Sequence, residues 1–184
     1  MSNLGKTSEM EEVHKLKKIY RLSEDRYKIN KSGNLIYLKL SIKGFSKIEG
    51  LEAFPHLQLL DLSSNKITKI KGLENLTQLK KLNLNFNKIH KIEGLENLSQ
   101  LQELRIYDNQ VTKLEGIEDL YQLKVLNFGY NNISKIEGLD KITQLKSLYL
   151  FNNKIQKIEG LENLKHLEIL HLYFNKIKTV VGVL

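Results

Sequence analysis

Residues 79–100 read LKKLNLNFNKIHKIEGLENLSQ, and the same 22-residue phrase recurs without a gap along most of the chain. Glycine marks its sixteenth position at Gly50, Gly72, Gly94, Gly116, Gly138, Gly160 and Gly182. A fixed period of this length is the mark of a stacked repeat, in which no unit buries its apolar face alone. The first column holds Leu35, Leu57, Leu79, Leu101, Leu123, Leu145 and Leu167; the fourth is leucine from Leu38 to Leu170; the sixth runs Leu40, Leu62, Leu84, Ile106, Phe128, Leu150 and Leu172. Apolar residues alternating at positions four and six predict one half-buried strand per unit. Stacking lays these strands side by side in a parallel sheet. Position nine, Lys43 followed by Asn65, Asn87, Asn109, Asn131, Asn153 and Asn175, falls where the chain leaves the strand. An interior turn needs partners for its backbone groups, and a side-chain amide both donates and accepts. The glycine column suits a backbone that needs φ > 0 or a close approach.

These columns resemble the leucine-rich repeat family over Leu35–Leu184. Within it, the unit length and the phrase KIEGLENL (Lys91–Leu98, repeated near Lys157–Leu164) are similar to the class typified by the protein phosphatase-1 regulatory subunit. Axonemal dynein light chain and the U2 snRNP A-prime protein share that class. Bacterial internalins share the length but usually carry proline near the position of Gly94, which this chain never does. The resemblance implies an α/β solenoid: a right-handed horseshoe with a parallel concave β-sheet and short 3₁₀ turns on its convex side.

Residues 1–34 depart from the repeat and read as an N-terminal cap; residues 35–184 form seven units, the last incomplete. Ser8 followed by Glu11 predicts a capping box opening a helix, whose apolar face would be Met10, Val13, Leu16, Ile19 and Tyr20. Tyr27–Asn30, a turn over 31–34 and Leu35–Leu40 read as a β-hairpin. The chain stops on TVVGVL with no polar cap, which leaves continuation in a longer protein, pairing with another copy, or fraying as the alternatives.

The formal charge is +8, with eight Lys/Arg against five Asp/Glu in residues 1–34. In the repeats, lysines of the thirteenth column face Glu49, Glu93, Glu115, Glu137 and Glu159 two positions on and a further acidic column beyond. These read as mixed-sign solvated ladders rather than a nucleic-acid site. No apolar run has membrane-spanning length. His14, His56, His90, His166 and His171 follow no metal-ligand spacing, and no catalytic grouping or phosphate loop stands out. The expectation is a protein without enzymatic activity or cofactor, and without nucleic-acid or membrane partners. Cysteine is absent, whereas extracellular members of the family usually carry Cys-bearing caps, so an intracellular site is expected, cytoplasmic with a nuclear one as the alternative in a eukaryote.

Positions three, five, seven and eight of each strand should point away from the leucine core. Seven strands about 4.8 Å apart give a face roughly 30 Å long. Its C-terminal half holds Phe86, Tyr107, Tyr130, Tyr149, Phe151, Tyr173 and Phe174, with Glu103, Arg105, Asp108 and His171 among them. Exposed aromatics flanked by Arg and carboxylates have the composition of a protein-binding hot spot; cross-strand ring stacking that serves only stability is the competing reading. The resemblance adds a serine/threonine phosphatase catalytic subunit as a narrower partner. The uncapped C-terminal edge adds self-assembly into a homo-oligomer as an alternative.

Overall fold

The computed structural model describes residues 4–181, with side chains from Glu9 onward. Helix α1 (Leu4–Tyr20) leads through a 3₁₀ turn (Glu24–Arg26) into β1 (Tyr27–Ile29), which pairs antiparallel with β2 (Leu35–Lys39). Each later unit adds one short strand: β3 (Leu59–Asp61), β4 (Lys81–Asn83), β5 (Glu103–Arg105), β6 (Val125–Asn127), β7 (Ser147–Tyr149) and β9 (Ile169–His171). They form one sheet in the order β1-β2-β3-β4-β5-β6-β7-β9, parallel from β2 onward. The register advances by one period per strand, so Leu60 pairs with Leu82 and Leu82 with Leu104. On the far side, β8 (Lys157–Ile158) and β10 (Thr179–Val180) pair in parallel. The convex return runs through consecutive i→i+3 turns: the Leu76 N–H donates to the Leu73 carbonyl and the Leu79 N–H to that of Leu76, both at 2.9 Å.

The apolar columns form one core. In the third unit Leu79, Leu82, Leu84, Ile89, Ile92, Leu95 and Leu98 are all essentially inaccessible. Each such side chain contributes about 1.5–3 kcal/mol before chain ordering is subtracted. The asparagines close the turns. The Asn87 Nδ2 donates to the carbonyls of Leu62 (3.1 Å) and Leu84 (3.0 Å), while its Oδ1 accepts the Ile67 N–H (3.0 Å). One amide thereby joins two units. In the seventh unit Leu167, Leu170, Leu172 and Ile177 are only partly buried, because no further layer covers them among the described residues.

The cap departs from expectation in two respects. Ser8 lies inside α1 instead of opening it, since the helix already runs from Leu4; the roughly 1 kcal/mol cost of Gly5 does not end it. Ile19 is 68% exposed. The inward stripe is Glu9, Val13, Leu16 and Tyr20, spaced four, three and four residues apart, as one face of a helix requires. Glu9 is buried because its carboxylate accepts the Leu35 N–H at 2.8 Å. Lys43 replaces asparagine because its Nζ donates to the Tyr20 carbonyl (2.8 Å) at the end of α1. Its backbone N–H is received by Asn65 of the next unit at 3.1 Å. The closing Gly182–Leu184 lie outside the described residues.

Candidate functional site: the concave aromatic face

Column eight is the hinge of each unit. There the chain turns from the strand toward the interior asparagine, and the backbone is left-handed in every unit: Ile42, Ser64, Phe86, Asp108, Tyr130, Asn152 and Phe174 have φ between 52° and 60°. Aspartate and asparagine tolerate this conformation. Phe86, Tyr130 and Phe174 do not adopt it readily, because a Cβ there crowds the following carbonyl at about 1–2 kcal/mol per residue. These three rings are 48%, 47% and 74% exposed.

Columns seven and five supply the rest. Ring centroids of Phe86 and Tyr107 lie 5.2 Å apart, edge to face, as do those of Tyr107 and Tyr130. Phe151 contacts Tyr107 (5.9 Å) and Tyr130 (5.8 Å) and stacks on Tyr173 at 4.8 Å with an 18° interplanar angle. Tyr173 touches Phe174 (5.4 Å) and His171 (5.6 Å), and His171 meets Tyr149 edge-on at 5.0 Å. All seven aromatics singled out from the sequence, with His171, therefore join one contact network across units three to seven. Tyr107, Tyr149 and Phe151 are half-buried rather than freely exposed. Burial, then the neighbouring Tyr130 and Asp108, raises the Tyr107 phenol above its ordinary pKa.

Sequence reasoning missed Gly129. It occupies column seven between Tyr107 and Phe151, and a Cβ built there would stand 2.6 Å from the Phe151 ring. Its missing side chain lets Phe151 reach across a strand to Tyr107. A glycine in a column otherwise holding Ser, Asn, Tyr and Phe was the available signal. Column five is also partly structural: Asn83 and Asn127 accept the N–H groups of Asn85 (3.1 Å) and Gly129 (3.0 Å) two residues on.

Glu103 and Arg105 sit apart from the rings. They line a shallow depression with Tyr37, Leu59, Asp61, Lys81 and Asn83. Lys81 Nζ lies 3.1 Å from the Glu103 carboxylate, which also accepts from Arg105 Nε. Burial opposes ionisation of Glu103, but hydrogen bonds from Lys81 and Arg105 outweigh it and hold the carboxyl below its ordinary value. Asp108 is exposed on the hinge and forms no ion pair among the described residues. Among those residues, no group of three or more His, Cys, Asp or Glu could hold a metal ion, and no helix is long and apolar enough to cross a membrane.

The family model described as leucine-rich repeat region matches residues 34–182. The chain belongs to the leucine-rich repeat family. Its solenoid is similar to that of the internalin inlF of Listeria monocytogenes, at 34% identity and a TM-score of 0.69 over 78% of this chain and 46% of that one. It is also similar to a leucine-rich repeat protein of Leptospira interrogans, at 27% identity and a TM-score of 0.74 over 79% of this chain and 42% of that one. The ectodomain of the Arabidopsis thaliana receptor kinase GASSHO1/SCHENGEN3, solved in complex with CASPARIAN STRIP INTEGRITY FACTOR 2, is 28% identical, with a TM-score of 0.61 over 70% of this chain and 17% of that one. The chain thus spans less than half the length of each. No curated protein matches it in sequence. The leucine-rich repeat fold is commonly a protein–protein interaction module and is typically non-enzymatic.

Proposed function

We propose that this leucine-rich repeat protein is a non-enzymatic binding module that grips a protein partner on its concave aromatic face. The observation that carries the reading is the left-handed backbone at Phe86, Tyr130 and Phe174. Stability alone would favour Asn or Gly at such positions, as Asn152 illustrates in the same column. Large exposed rings held there at a cost are explained by what they touch from outside, and strained positions of this kind gather at binding sites. Ring-on-ring packing engages the column-eight rings on one side, through Tyr107, Phe151 and Tyr173, but leaves about half or more of each open to a partner.

A narrower version follows from the KIEGLENL phrase. It makes the partner a serine/threonine phosphatase catalytic subunit and the chain its regulatory subunit in the cytoplasm. Affinity capture from native cell extract, read by mass spectrometry, tests both levels. The wild-type chain is compared with a Phe86→Asn, Tyr130→Asn, Phe174→Asn variant. Proteins retained by the wild type alone support the concave site, and a phosphatase catalytic subunit among them supports the narrower version. Identical sets of proteins from both contradict the concave reading.

A second reading is self-assembly through the last strand. Among the described residues β9 ends the sheet and its Ile169 is exposed, and on the far side of the same unit Val180 and Val181 are exposed as well; open edges with apolar side chains invite pairing. Sedimentation at tens of micromolar separates the two, since a monomer there counts against a self-assembling scaffold.

A further inference from the structure

In sequence the charges read as mixed ladders, and in the fold the thirteenth column keeps that character, with Lys91, Lys135 and Lys157 paired to Glu115, Glu137 and Glu159; the tenth column differs. The tenth column, two residues past the hinge, lies along the rim at the C-terminal ends of the strands. In units two to seven it holds Lys66, Lys88, Gln110, Asn132, Lys154 and Lys176 and no carboxylate, and its four lysines are exposed. The eighteenth column, on the turns leading to the next strand's N-terminal end, is acidic from the first unit to the sixth: Glu52, Glu74, Glu96, Glu118, Asp140 and Glu162. Some of this acidity serves the fold, since Glu74 and Glu96 accept the N–H groups of Gly72 and Gly94 at 3.2 Å. The basic rim has less internal use. Lys66, Lys88, Lys154 and Lys176 of the tenth column form no ion pair among the described residues.

That free basic row borders the aromatic network. Lys88 and Lys176 stand two residues beyond Phe86 and Phe174, separated from each ring only by the column-nine asparagine that fixes the turn. Apolar anchors and unpaired cations therefore share one rim. Resting on the concave-face reading above, we infer that the partner presents an acidic protein segment carrying aromatic or aliphatic anchors. Its side chains pack on Phe86, Tyr130 and Phe174 while its carboxylates meet the tenth-column lysines. Like-charge contact repels basic partners from the same rim. Single-stranded nucleic acid would also meet cations here, but it needs open, separated ring faces on which bases stack. The rings instead pack on one another, mostly edge to face, with Tyr107, Tyr130 and Phe151 mutually in contact.

The test is selection of random 15-residue peptides displayed on phage against the full chain, followed by fluorescence anisotropy of the selected peptides. Expected are sequences rich in Asp and Glu with at least two apolar anchors, binding more weakly as NaCl rises. Their affinity should fall about tenfold in a Lys66→Gln, Lys88→Gln, Lys154→Gln, Lys176→Gln variant, because rim charges act through complementarity and are screened by salt. Four exposed substitutions leave the core intact, and the melting temperature checks this. Selected peptides that are neutral or basic and bind the lysine variant equally, yet lose the column-eight asparagine variant, would overturn the acidic-partner inference and leave the concave reading standing. No enrichment, or peptides indifferent to the column-eight variant, would overturn both. A 20-residue oligo-dT that displaces the selected peptides at lower concentration than they displace one another would overturn the inference in favour of nucleic acid. Self-association abolished by the lysine variant would overturn it in favour of a second copy's acidic turns.

Discussion

Phe151 lies over Gly129, where a Cβ would stand 2.6 Å from the ring, and this overlap brings Phe151 within 5.9 Å of Tyr107 two strands away. Strands in a sheet sit about 4.8 Å apart, so two rings in one column two strands apart would not meet unless the side chain between them were missing. The glycine is a joint in the aromatic surface, not a turn residue; its φ is not left-handed. Gly129→Ala should therefore leave the backbone intact but expel the Phe151 ring. Expected are a changed near-ultraviolet circular dichroism spectrum and partner affinity reduced about tenfold, with a small change in melting temperature. An unchanged spectrum and affinity would show that the ring accommodates the methyl.

The sixteenth-column glycines differ among themselves in a testable way. Gly50 and Gly138 have nearly the same φ, 74° and 73°. A Cβ at Gly50 meets nothing within 4 Å, whereas one at Gly138 would stand 2.3 Å from the Leu114 carbonyl oxygen of the preceding unit. Gly50→Ala should cost about 1 kcal/mol from backbone conformation alone. Gly138→Ala should cost distinctly more, since two stacked units must separate. Urea denaturation of the two variants checks the difference; equal losses would mean that the solenoid yields at that contact.

Core substitutions should depend on the layer they strike. Leu126 and Leu170 hold the same column, but Leu126 is fully buried and Leu170 only partly. Leu126→Ala should destabilise by about 2–5 kcal/mol through a cavity. Leu170→Ala should cost less, because less apolar area leaves water there. Thermal unfolding of both variants measures this.

Glu103 offers a pH signature. Its carboxyl is held below its ordinary value in the folded chain, so its pairing stabilises the protein above the unfolded carboxyl's pKa of about 4.3. That contribution is lost as pH falls through the lower folded value. Glu103→Gln should be slightly less stable than wild type at pH 7, by well under about 1 kcal/mol for a partly solvated pair. The two stability curves should meet below about pH 4. A gap that persists there would assign Glu103 a role in packing instead.

Much of this was legible in the chain. The repeated Leu, Asn and Gly columns imply the solenoid because each has one physical job repeated in register. The Asn87 amide and the left-handed Gly94 do what those columns predict. The cap was read less well: Ser8 resembles a helix start, and the exposed Ile19 looks apolar enough to be buried, while the residue that ties α1 to the first strand is the charged Glu9. On the concave face, residue types located the aromatic half, but period alone did not show that column eight is left-handed or that Glu103 turns away from the rings toward Lys81. Backbone handedness and side-chain pairing arise from the stacked neighbours, which a single unit does not contain.

The central claim concerns the column-eight rings, and the most direct test measures affinity and stability on the same variant. Phe86→Asn, Tyr130→Asn, Phe174→Asn places a residue suited to left-handed backbone at each hinge, and this relief of strain offsets the missing ring packing. The account predicts a melting temperature within roughly 5 °C of wild type together with at least a tenfold loss of affinity for the captured partner. Unchanged affinity, or a collapse of the fold with these three side chains, would contradict it.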